Sequence, residues 1–458
     1  MRTCSELTNK NARAILLRFR ELHQSMYEEE NTEVPECVLA TYVANMLPMA
    51  NVWLLVVGPP SSGKTTALEL LSGLPQVVNC GSMTAASLLS GSPNREKTAK
   101  STGGVLREIG ERGVLVLKDF SSILCLRNEK QQEVITAFRE IYDGRWTRSF
   151  GSDGGKTETW TGKVGVIGAV TEAIDQKAQQ MAIMGERFLY YRMPVSRNQS
   201  VRIARRALEG EATRKKSLVE LNKLVKAMLG LVAIPDDPIE LPQDVNAMLI
   251  SLACFVARSR TGIDRNSYSR EIESVPNPEE PARIVQQLKT LFCALLLTGN
   301  TPEEAWQKVR KVGLSSIQDL RLKAMLTLRD TELHMVTSSI ATECNSPTTT
   351  TRRALEDLFY LGVVNRLSNG PNSEAWQLPA SVKDELDGIY GELSDEEIPI
   401  QMADLLGADD SPGFPHSSIS ISSAHKEGRI RVSPVNGDKS ELARIVMIGN
   451  ENDGKELA

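Results

Sequence analysis

The chain has little that marks a secreted, membrane-spanning or metal-scaffolded protein. Its seven cysteines are scattered and form no C-x-x-C pair, which argues against a zinc site or a disulfide framework and favours reduced thiols. The longest apolar run, residues 291–297, is too short to span a bilayer. Charged residues interrupt the N-terminus, so it has no signal-peptide core. These absences predict a cytoplasmic protein without a membrane partner.

An excess of basic residues is also missing. The sequence has 53 Lys and Arg against 58 Asp and Glu, a net charge of −5, so a uniformly basic surface for nucleic acid is excluded. Any contact with DNA must come from local patches. The content of 41% hydrophobic and 24% charged residues is that of an ordinary globular protein, and 458 residues suffice for about three domains.

The most informative stretch is residues 52–66, where an apolar run leads into a glycine-containing loop. Residues 52–57 are typical of a buried parallel strand, and residues 58–65 fit G-x-x-x-x-G-K-[ST] without a mismatch. Gly58 and Gly63 allow successive backbone N–H groups to point at a phosphate, aided by the positive end of the following helix. We expect Lys64 to reach the β and γ phosphates and Thr65 to hold Mg²⁺.

The motif therefore predicts nucleotide binding, with ATP and Mg²⁺ as cofactors. The residues expected to contact the nucleotide in this segment are Gly58, Pro59, Pro60, Ser61, Ser62, Gly63, Lys64, Thr65 and Thr66.

A second buried strand is predicted over residues 113–120, with Asp119 at its end. An acidic residue in this position can hold the Mg²⁺ shell or position the attacking water. Asp119 is therefore the candidate for either role, metal ligand or catalytic residue. The competing interpretation is an aspartate that only caps the next turn.

Two alternating runs, residues 145–150 and 156–161, flank a glycine-rich turn and predict a β hairpin that carries Arg145, Arg148 and Lys156. On charge alone, a solvated hairpin is an equally good interpretation. An apolar strand over residues 164–170 follows, and it ends at Thr171, which is placed to sense the γ phosphate.

Residues 185–194 predict a further strand that begins beside Arg187. An arginine here can reach the γ phosphate in a neighbouring subunit, although a salt-bridged surface arginine is the alternative. Residues 200–312 show several helical patterns and no convincing strand, which predicts a helical lid. Arg283, near the start of a helix that proline opens, is placed to face the nucleotide from this lid.

Residues 318–380 predict a helix, a turn, a second helix and a hairpin, the order of a winged helix. Arg352 and Arg353 would then enter a major groove, and Arg366 on the wing would lie near phosphate. Winged helices also bind proteins, and the neighbouring acids Glu356 and Asp357 weaken the case for DNA. From residue 384 the chain turns acidic and then rich in Ser, Pro and Gly, which predicts a largely disordered tail.

In this order of features the chain resembles an AAA+ ATPase of the clade with a hairpin before the sensor strand. It looks most like the motor of minichromosome maintenance helicases and the related replication ATPases of phages and mobile elements. The resemblance covers residues 45–380, and its local marks are Thr84-Ala85-Ala86, Phe120 after the acid, and Glu186-Arg187-Phe188. It implies an α/β P-loop core, an arginine finger at Arg187, a lid arginine at Arg283, and a ring, usually a hexamer, whose hairpin faces DNA.

Three departures from the family pattern stand out. The usual Asp-Glu pair reads Lys118-Asp119, so either the strand end is shifted by one residue or the Mg²⁺ acid is missing. Thr171 replaces an asparagine, and the large N-terminal DNA-binding region of the helicases is expected to be missing, because the short segment before the loop cannot hold it.

The predicted organisation is a helical segment (1–45), the ATPase core (46–199), the lid (200–315), the winged helix (316–382) and the tail (383–458). The predicted function is an ATP-dependent, DNA-binding ring ATPase, a replication helicase or helicase-like initiator with replication or mobile-element proteins as partners. The alternatives are a nucleotide-dependent DNA-binding switch with weak hydrolysis and a protein-remodelling ATPase.

Overall fold

The computed structural model describes residues 9–27, 32–81, 83–89, 104–149, 157–177, 181, 185, 187–194, 201, 204–205, 208, 211–266, 268–368 and 374–391. The strands within these residues are β1 (Trp53–Val57), β2 (Val77–Cys80), β3 (Arg112–Leu117), β4 (Arg145–Ser149), β5 (Thr157–Thr161), β6 (Lys163–Val170), β7 (Phe188–Arg192), β8 (Asp264–Arg265), β9 (Ile272–Ser274), β10 (Met335–Val336), β11 (Asn365–Ser368) and β12 (Glu374–Gln377).

The helices within the same residues are α1 (Lys10–Tyr27), α2 (Glu33–Met46), α3 (Lys64–Glu69), α4 (Ala85–Leu88), α5 (Val105–Ile109), α6 (Ser121–Leu124), α7 (Asn128–Tyr142), α8 (Glu211–Gly230), α9 (Gln243–Arg260), α10 (Ala282–Leu297), α11 (Pro302–Ser315), α12 (Asp319–Arg329), α13 (Thr337–Glu343), α14 (Thr348–Tyr360) and α15 (Ala380–Tyr390). A 3₁₀ helix, Glu172–Lys177, follows β6. None of the described helices is both long and apolar enough to cross a membrane.

The core is a five-stranded parallel sheet flanked by helices, in the order β2-β3-β6-β1-β7. β1 lies between β6 and β7, and Val57 at its end pairs with Val170 on one side and Arg192 on the other. Every residue of β1 is buried because helices cover both faces of the sheet. The carboxyl ends of β1, β3 and β6 therefore meet at one edge.

Alternation along β1 divides its side chains between the two layers. Trp53, Leu55 and Val57 join a cluster that includes Phe138 of α7 and Phe188 of β7. The Trp53 ring centroid lies 5.5 Å from that of Phe138 and 5.0 Å from that of Phe188. On the other face, α2 packs on β1, β3 and β6 and also contacts α10.

Asn45, near the end of α2, joins this helix to the sheet. Its Nδ2 donates to the main-chain oxygen of Val52 at 2.8 Å, and its Oδ1 accepts from the Val52 N–H at 3.0 Å. A Cβ at Gly165 of β6 would lie 2.2 Å from the same amide, so only glycine fits there.

The strands and the hairpin predicted in the core are confirmed within the described residues. β3, however, ends at Leu117, so Lys118 and Asp119 follow the strand and do not belong to it. β4 and β5 pair in antiparallel register, with Arg145 opposite Thr161 and Arg148 opposite Glu158. Lys156 and the turn between the two strands lie outside the described residues.

Helices α8 to α11 occupy most of the segment predicted to be helical. The sequence shows no convincing strand in residues 200–312, but β8 and β9 form a short antiparallel pair between α9 and α10. Strands of two and three residues with an irregular register are too short to show alternation.

The C-terminal part of the described chain holds α12 to α15 and an antiparallel sheet of order β10-β12-β11. Trp376 of β12 is fully buried, and its Nε1 donates to the Thr337 hydroxyl at 2.9 Å. The assignment of residues 383–390 to a disordered tail is wrong. These residues form most of α15, whose Leu386 and Ile389 are buried. The tail predicted beyond residue 391 lies outside the described residues.

Candidate nucleotide site

The glycine-containing loop leaves the sheet at the carboxyl end of β1. The Gly58 N–H donates to the main-chain oxygen of Val170 at 3.2 Å, and the Met193 N–H donates to that of Val57 at 2.8 Å. The loop is therefore fixed between the ends of β6 and β7. Parallel α/β sheets bind their ligands in the crevice at the carboxyl ends of the strands, and this loop lies at that edge.

The Lys64 ammonium is folded back into the loop. Its Nζ donates to the main-chain oxygen of Gly58 at 2.8 Å and also to that of Pro59, and the residue is only 9% exposed. Burial lowers the pKa of Lys64, and the carboxylates of Glu172 and then Asp119 oppose that shift. The positive charge of Lys64 thus lies inside the loop with two acids facing it.

The loop backbone has a shape that few sequences adopt. Gly63 has a φ of 89°, in the left-handed region that favours glycine, and Ser61 has a φ of 63°. A Cβ at Gly58 would lie 3.1 Å from the Ser62 Oγ and 3.2 Å from the Met193 Cβ.

The other residues predicted in the loop line its open side. Thr65, Pro60 and Ser61 are exposed, while Pro59, Ser62 and Thr66 are half-buried. The structure therefore brings the whole predicted segment together around Lys64.

Asp119 is on this edge and also caps the next turn. Its Oδ1 accepts from the Ser121 N–H at 2.9 Å, and its main-chain oxygen accepts from the Ser122 hydroxyl at 2.8 Å. The side chain is exposed, and its charge reaches Lys64. The capping interpretation and the site interpretation of Asp119 are thus both compatible with the geometry.

Thr171 directly follows β6 and is half-buried. Since the residue before it binds the Gly58 N–H, Thr171 lies next to the start of the loop. Glu172, the carboxylate that most strongly opposes the lowering of the Lys64 pKa by burial, was not predicted from the sequence. The available signal was an acidic residue within two positions of the end of a buried strand.

Arg187 and Arg283 lie together at the opposite edge of the sheet. Arg187 precedes β7, and β7 runs from it to Met193 beside the loop. At a rise of about 3.3 Å per residue, this strand separates Arg187 from Met193 by about 20 Å. Arg283 Nη1 donates to the main-chain oxygen of Gly185 at 2.5 Å. The Tyr142 ring lies 5.4 Å from the guanidinium carbon of Arg187 and 5.8 Å from that of Arg283.

The structure therefore groups Arg283 with Arg187 and not with the phosphate loop of the same chain. Arg283 lines an open cavity of about 580 Å³. Arg187 donates a hydrogen bond to Asp143, which also lines this cavity. Its lining includes Tyr142, Asp143, Lys163, Glu279 and Arg283.

The two faces of the β4–β5 hairpin differ. Trp146 and Trp160 are buried on one face, where the Trp160 Nε1 donates to the Gly110 oxygen at 2.8 Å. Arg148 shares that face, and its Nη1 donates to the Leu89 oxygen at 3.1 Å. Arg145 is exposed on the other face, which it shares with threonines. Lys156 lies outside the described residues. Among the predicted DNA contacts that the structure does describe on the hairpin, Arg145 is the one that faces outwards.

The three arginines predicted to touch DNA in the C-terminal part have different surroundings. Arg352 and Arg366 share the Glu374 carboxylate, whose Oε2 lies 3.1 Å from Arg352 Nε. Arg353 is exposed and forms no ion pair among the described residues. The structure therefore leaves Arg353 as the most accessible of the three.

The two acids that weakened the case for DNA are neutralised within the chain. Asp357 Oδ1 is 2.6 Å from Arg265 Nη2, and its Oδ2 is 2.9 Å from Arg321 Nη2. Glu356 pairs with Arg265 at 3.1 Å and with Arg352 at 3.1 Å. Both acids thus hold the β8–β9 segment against α14, and Asp357 also holds α12 there.

The residues at the loop suit Mg²⁺ bound together with a nucleotide. Mg²⁺ in such sites keeps several waters and takes one or two protein oxygens in addition to phosphates. The Thr65 hydroxyl and the Asp119 carboxylate supply oxygens of this kind on the exposed side of the loop. In the described part of the chain, no three His, Cys, Asp or Glu side chains gather into a self-sufficient metal site.

Compared with known protein families and with curated proteins, the chain matches no family model and no curated sequence.

Proposed function

We propose that the chain is an ATP hydrolase that binds Mg²⁺ and ATP at residues 58–66. The observation that carries the proposal is the position of Lys64. It is a nearly buried ammonium inside a loop with left-handed residues, at the carboxyl edge of a parallel sheet and facing two acids. A ligand with several negative charges and a bound cation satisfies both the ammonium and the acids.

Phosphoryl transfer needs positioning and charge stabilisation more than covalent help from the protein. In the proposed site the N–H groups of the loop and Lys64 hold the β and γ phosphates. Mg²⁺ supplies charge neutralisation when bound, and Thr65 and Asp119 are the residues that would hold it. Thr171, which follows the Val170 oxygen that accepts from the Gly58 N–H, is the proposed donor of a hydrogen bond to the γ phosphate.

We further propose that the active form is a ring of the AAA+ type, most simply a hexamer, in which Arg187 and Arg283 act on the nucleotide of the next subunit. Their location at the edge opposite the loop supports this arrangement. A head-to-tail interface brings opposite edges of two chains together, and repeated head-to-tail contacts close into rings. The cavity beside Tyr142 and Arg283 has room for part of the neighbouring subunit.

DNA is the proposed substrate of the motor, and the proposed role is that of a cytoplasmic replication helicase or helicase-like initiator of a phage or mobile element. Arg145 on the exposed face of the hairpin and Arg353 on α14 support it. Helix, turn, helix and hairpin in α13, α14, β11 and β12 support a winged-helix assignment for this region.

A second candidate is a nucleotide-dependent DNA-binding switch with weak hydrolysis. Lys118 favours this candidate, because the family that the chain resembles has an acid at that position. The capping of the turn at Ser121 also favours it, because that hydrogen bond uses one oxygen of Asp119. Steady-state ATP turnover, measured without DNA, with single-stranded DNA and with duplex DNA, separates the two candidates. DNA-stimulated turnover supports the motor, whereas tight ATP binding without turnover supports the switch.

A further inference from the structure

We propose that Glu172 is the second carboxylate of the nucleotide site and orients the water that attacks the γ phosphate. This inference rests on the proposed function and adds a residue to it. It also accounts for how hydrolysis proceeds although Lys118 replaces an acid after β3.

The strand register brings Glu172 to the site. β6 lies between β1 and β3, and its end is bonded on both sides. The Val170 oxygen accepts from the Gly58 N–H at 3.2 Å, and the Ala169 oxygen accepts from the Phe120 N–H at 2.8 Å. The residues that directly follow β6 therefore emerge between the phosphate loop and the turn that carries Asp119.

The backbone at Glu172 is held in place by the residues that follow it, Ile174 and Asp175. Glu172 begins the 3₁₀ helix Glu172–Lys177, and Ile174 of that helix is 1% exposed in the main core cluster. Asp175 is bound by two hydrogen bonds from Arg192, Nη1 to Oδ2 at 2.9 Å and Nη2 to Oδ1 at 2.7 Å.

Arg192 is itself fixed to the end of α11, because its Nε donates to the Ser315 oxygen at 2.9 Å. It also donates from Nη2 to the Ile317 oxygen at 3.1 Å. The 3₁₀ helix therefore cannot rotate away without breaking the Asp175–Arg192 pair.

The side chain of Glu172 is exposed at this fixed position. Within the described residues it forms no ion pair, whereas one oxygen of Asp119 is used by the Ser121 N–H. Burial lowers the pKa of Lys64, and the Glu172 carboxylate opposes that shift more than the Asp119 carboxylate does. Of the two acids, Glu172 is therefore the one with both oxygens available.

The reaction assigns each group a step. The water oxygen forms a bond to the γ phosphorus while the bond from that phosphorus to the β–γ bridging oxygen breaks, and ADP leaves with the electron pair. Glu172 accepts a hydrogen bond from the attacking water and takes the proton that the water releases, which then passes to solvent. Asp119 and Thr65 remain the residues that would hold Mg²⁺.

The test compares the full-length chain with Glu172→Gln, which keeps the size of the side chain and removes its charge. Glu133→Gln, an exposed acid on α7 outside the site, is the matched control. We expect Glu172→Gln to bind a fluorescent ATP analogue within about threefold of wild type and to lower kcat at least about 100-fold, the contribution typical of a general base.

Glu172→Asp should keep part of the rate because it keeps the charge. Turnover that depends on Lys64 but stays within about threefold of wild type in Glu172→Gln overturns the inference and leaves the proposed function standing. Loss of ATP binding or of the folded far-UV spectrum in Glu172→Gln also overturns it, because it shows a structural role. Absence of turnover in the wild type contradicts the proposed function itself.

Discussion

The guanidinium of Arg187 is held against the carboxylate of Asp143, with Nη2 3.1 Å from Oδ2 and 3.4 Å from Oδ1. Arg187 is the buried partner, with its side chain 7% exposed, and Asp143 is 62% exposed. Burial lowers the pKa of Arg187, and Asp143 opposes that shift. An arginine that acts on a neighbouring subunit must exchange this carboxylate for a phosphate, so the pair defines the resting position of the side chain.

Removal of this guanidinium should abolish turnover and spare binding. If Arg187 acts as an arginine finger, we expect Arg187→Ala to lower kcat by about 10³-fold or more, as for known arginine fingers, with little change in ATP affinity. The exposed Arg127→Ala serves as the control. Turnover is measured by phosphate release and affinity by titration with a fluorescent ATP analogue. Turnover like that of the wild type would rule out the finger role.

Mixing variants tests whether Arg187 acts on another subunit. Chains with Lys64→Ala and chains with Arg187→Ala should each be inactive alone. In an equal mixture about a quarter of the interfaces pair an intact loop with an intact arginine, so partial turnover should return if subunits exchange at random. Absence of recovery in a mixture that demonstrably co-assembles would contradict action across the interface.

The C-terminal arginines should differ in their effect on DNA binding. Arg353 is exposed, while Arg352 and Arg366 are both tied to Glu374. We expect Arg353→Ala to weaken duplex DNA binding and to reduce the slope of log K against log salt by about one. Arg366→Ala should have the smaller effect, because its guanidinium must first leave Glu374. Equal slopes for Arg353→Ala and wild type, measured by fluorescence anisotropy, would exclude a phosphate contact.

His23 should make stability depend on pH. Burial lowers the pKa of His23 from 6.5 to about 4, and Glu36 only partly opposes this. Between these values the unfolded chain binds the proton and the folded chain does not, so the contribution of His23 is present above pH 6.5 and is lost as the pH falls towards 4. The loss amounts to at most about 3 kcal/mol.

This prediction is checked by urea unfolding at pH 7, 6 and 5. His23→Gln should flatten the decline that the wild type shows over this range, and the exposed His334→Gln should not. A decline of equal size in the wild type and in His23→Gln would show that other groups control it.

Much of the sheet was predictable because buried parallel strands are continuous apolar runs. Residues 52–57 and 164–170 are of this kind, and both are strands next to each other in the sheet. The loop residues were predictable from their spacing alone. The side of the hairpin on which Arg148 lies could also be predicted from the sequence. Residues two apart on a strand share a face, and Trp146 is a buried residue.

Other features depend on packing that the sequence does not display. The place of Arg283 at the edge away from the phosphate loop follows from how α10 meets Gly185 and Tyr142, which no local pattern reveals. The acidic composition after residue 383 led to the prediction of a disordered tail where α15 lies. The signal for this helix was present, since Val382, Leu386 and Ile389 recur at helical spacing. The approach of Glu172 to Lys64 requires knowing that β6 is the neighbour of β1.

The most direct test of the central claim is ATP binding and turnover by the full-length chain with Lys64 replaced. We predict Mg²⁺-dependent phosphate release by the wild type and by Lys130→Ala, an exposed lysine on α7, and loss of both binding and release in Lys64→Ala. Unchanged far-UV circular dichroism should accompany that loss. Phosphate release by Lys64→Ala at the wild-type rate, or a wild type that binds no ATP, would contradict the account.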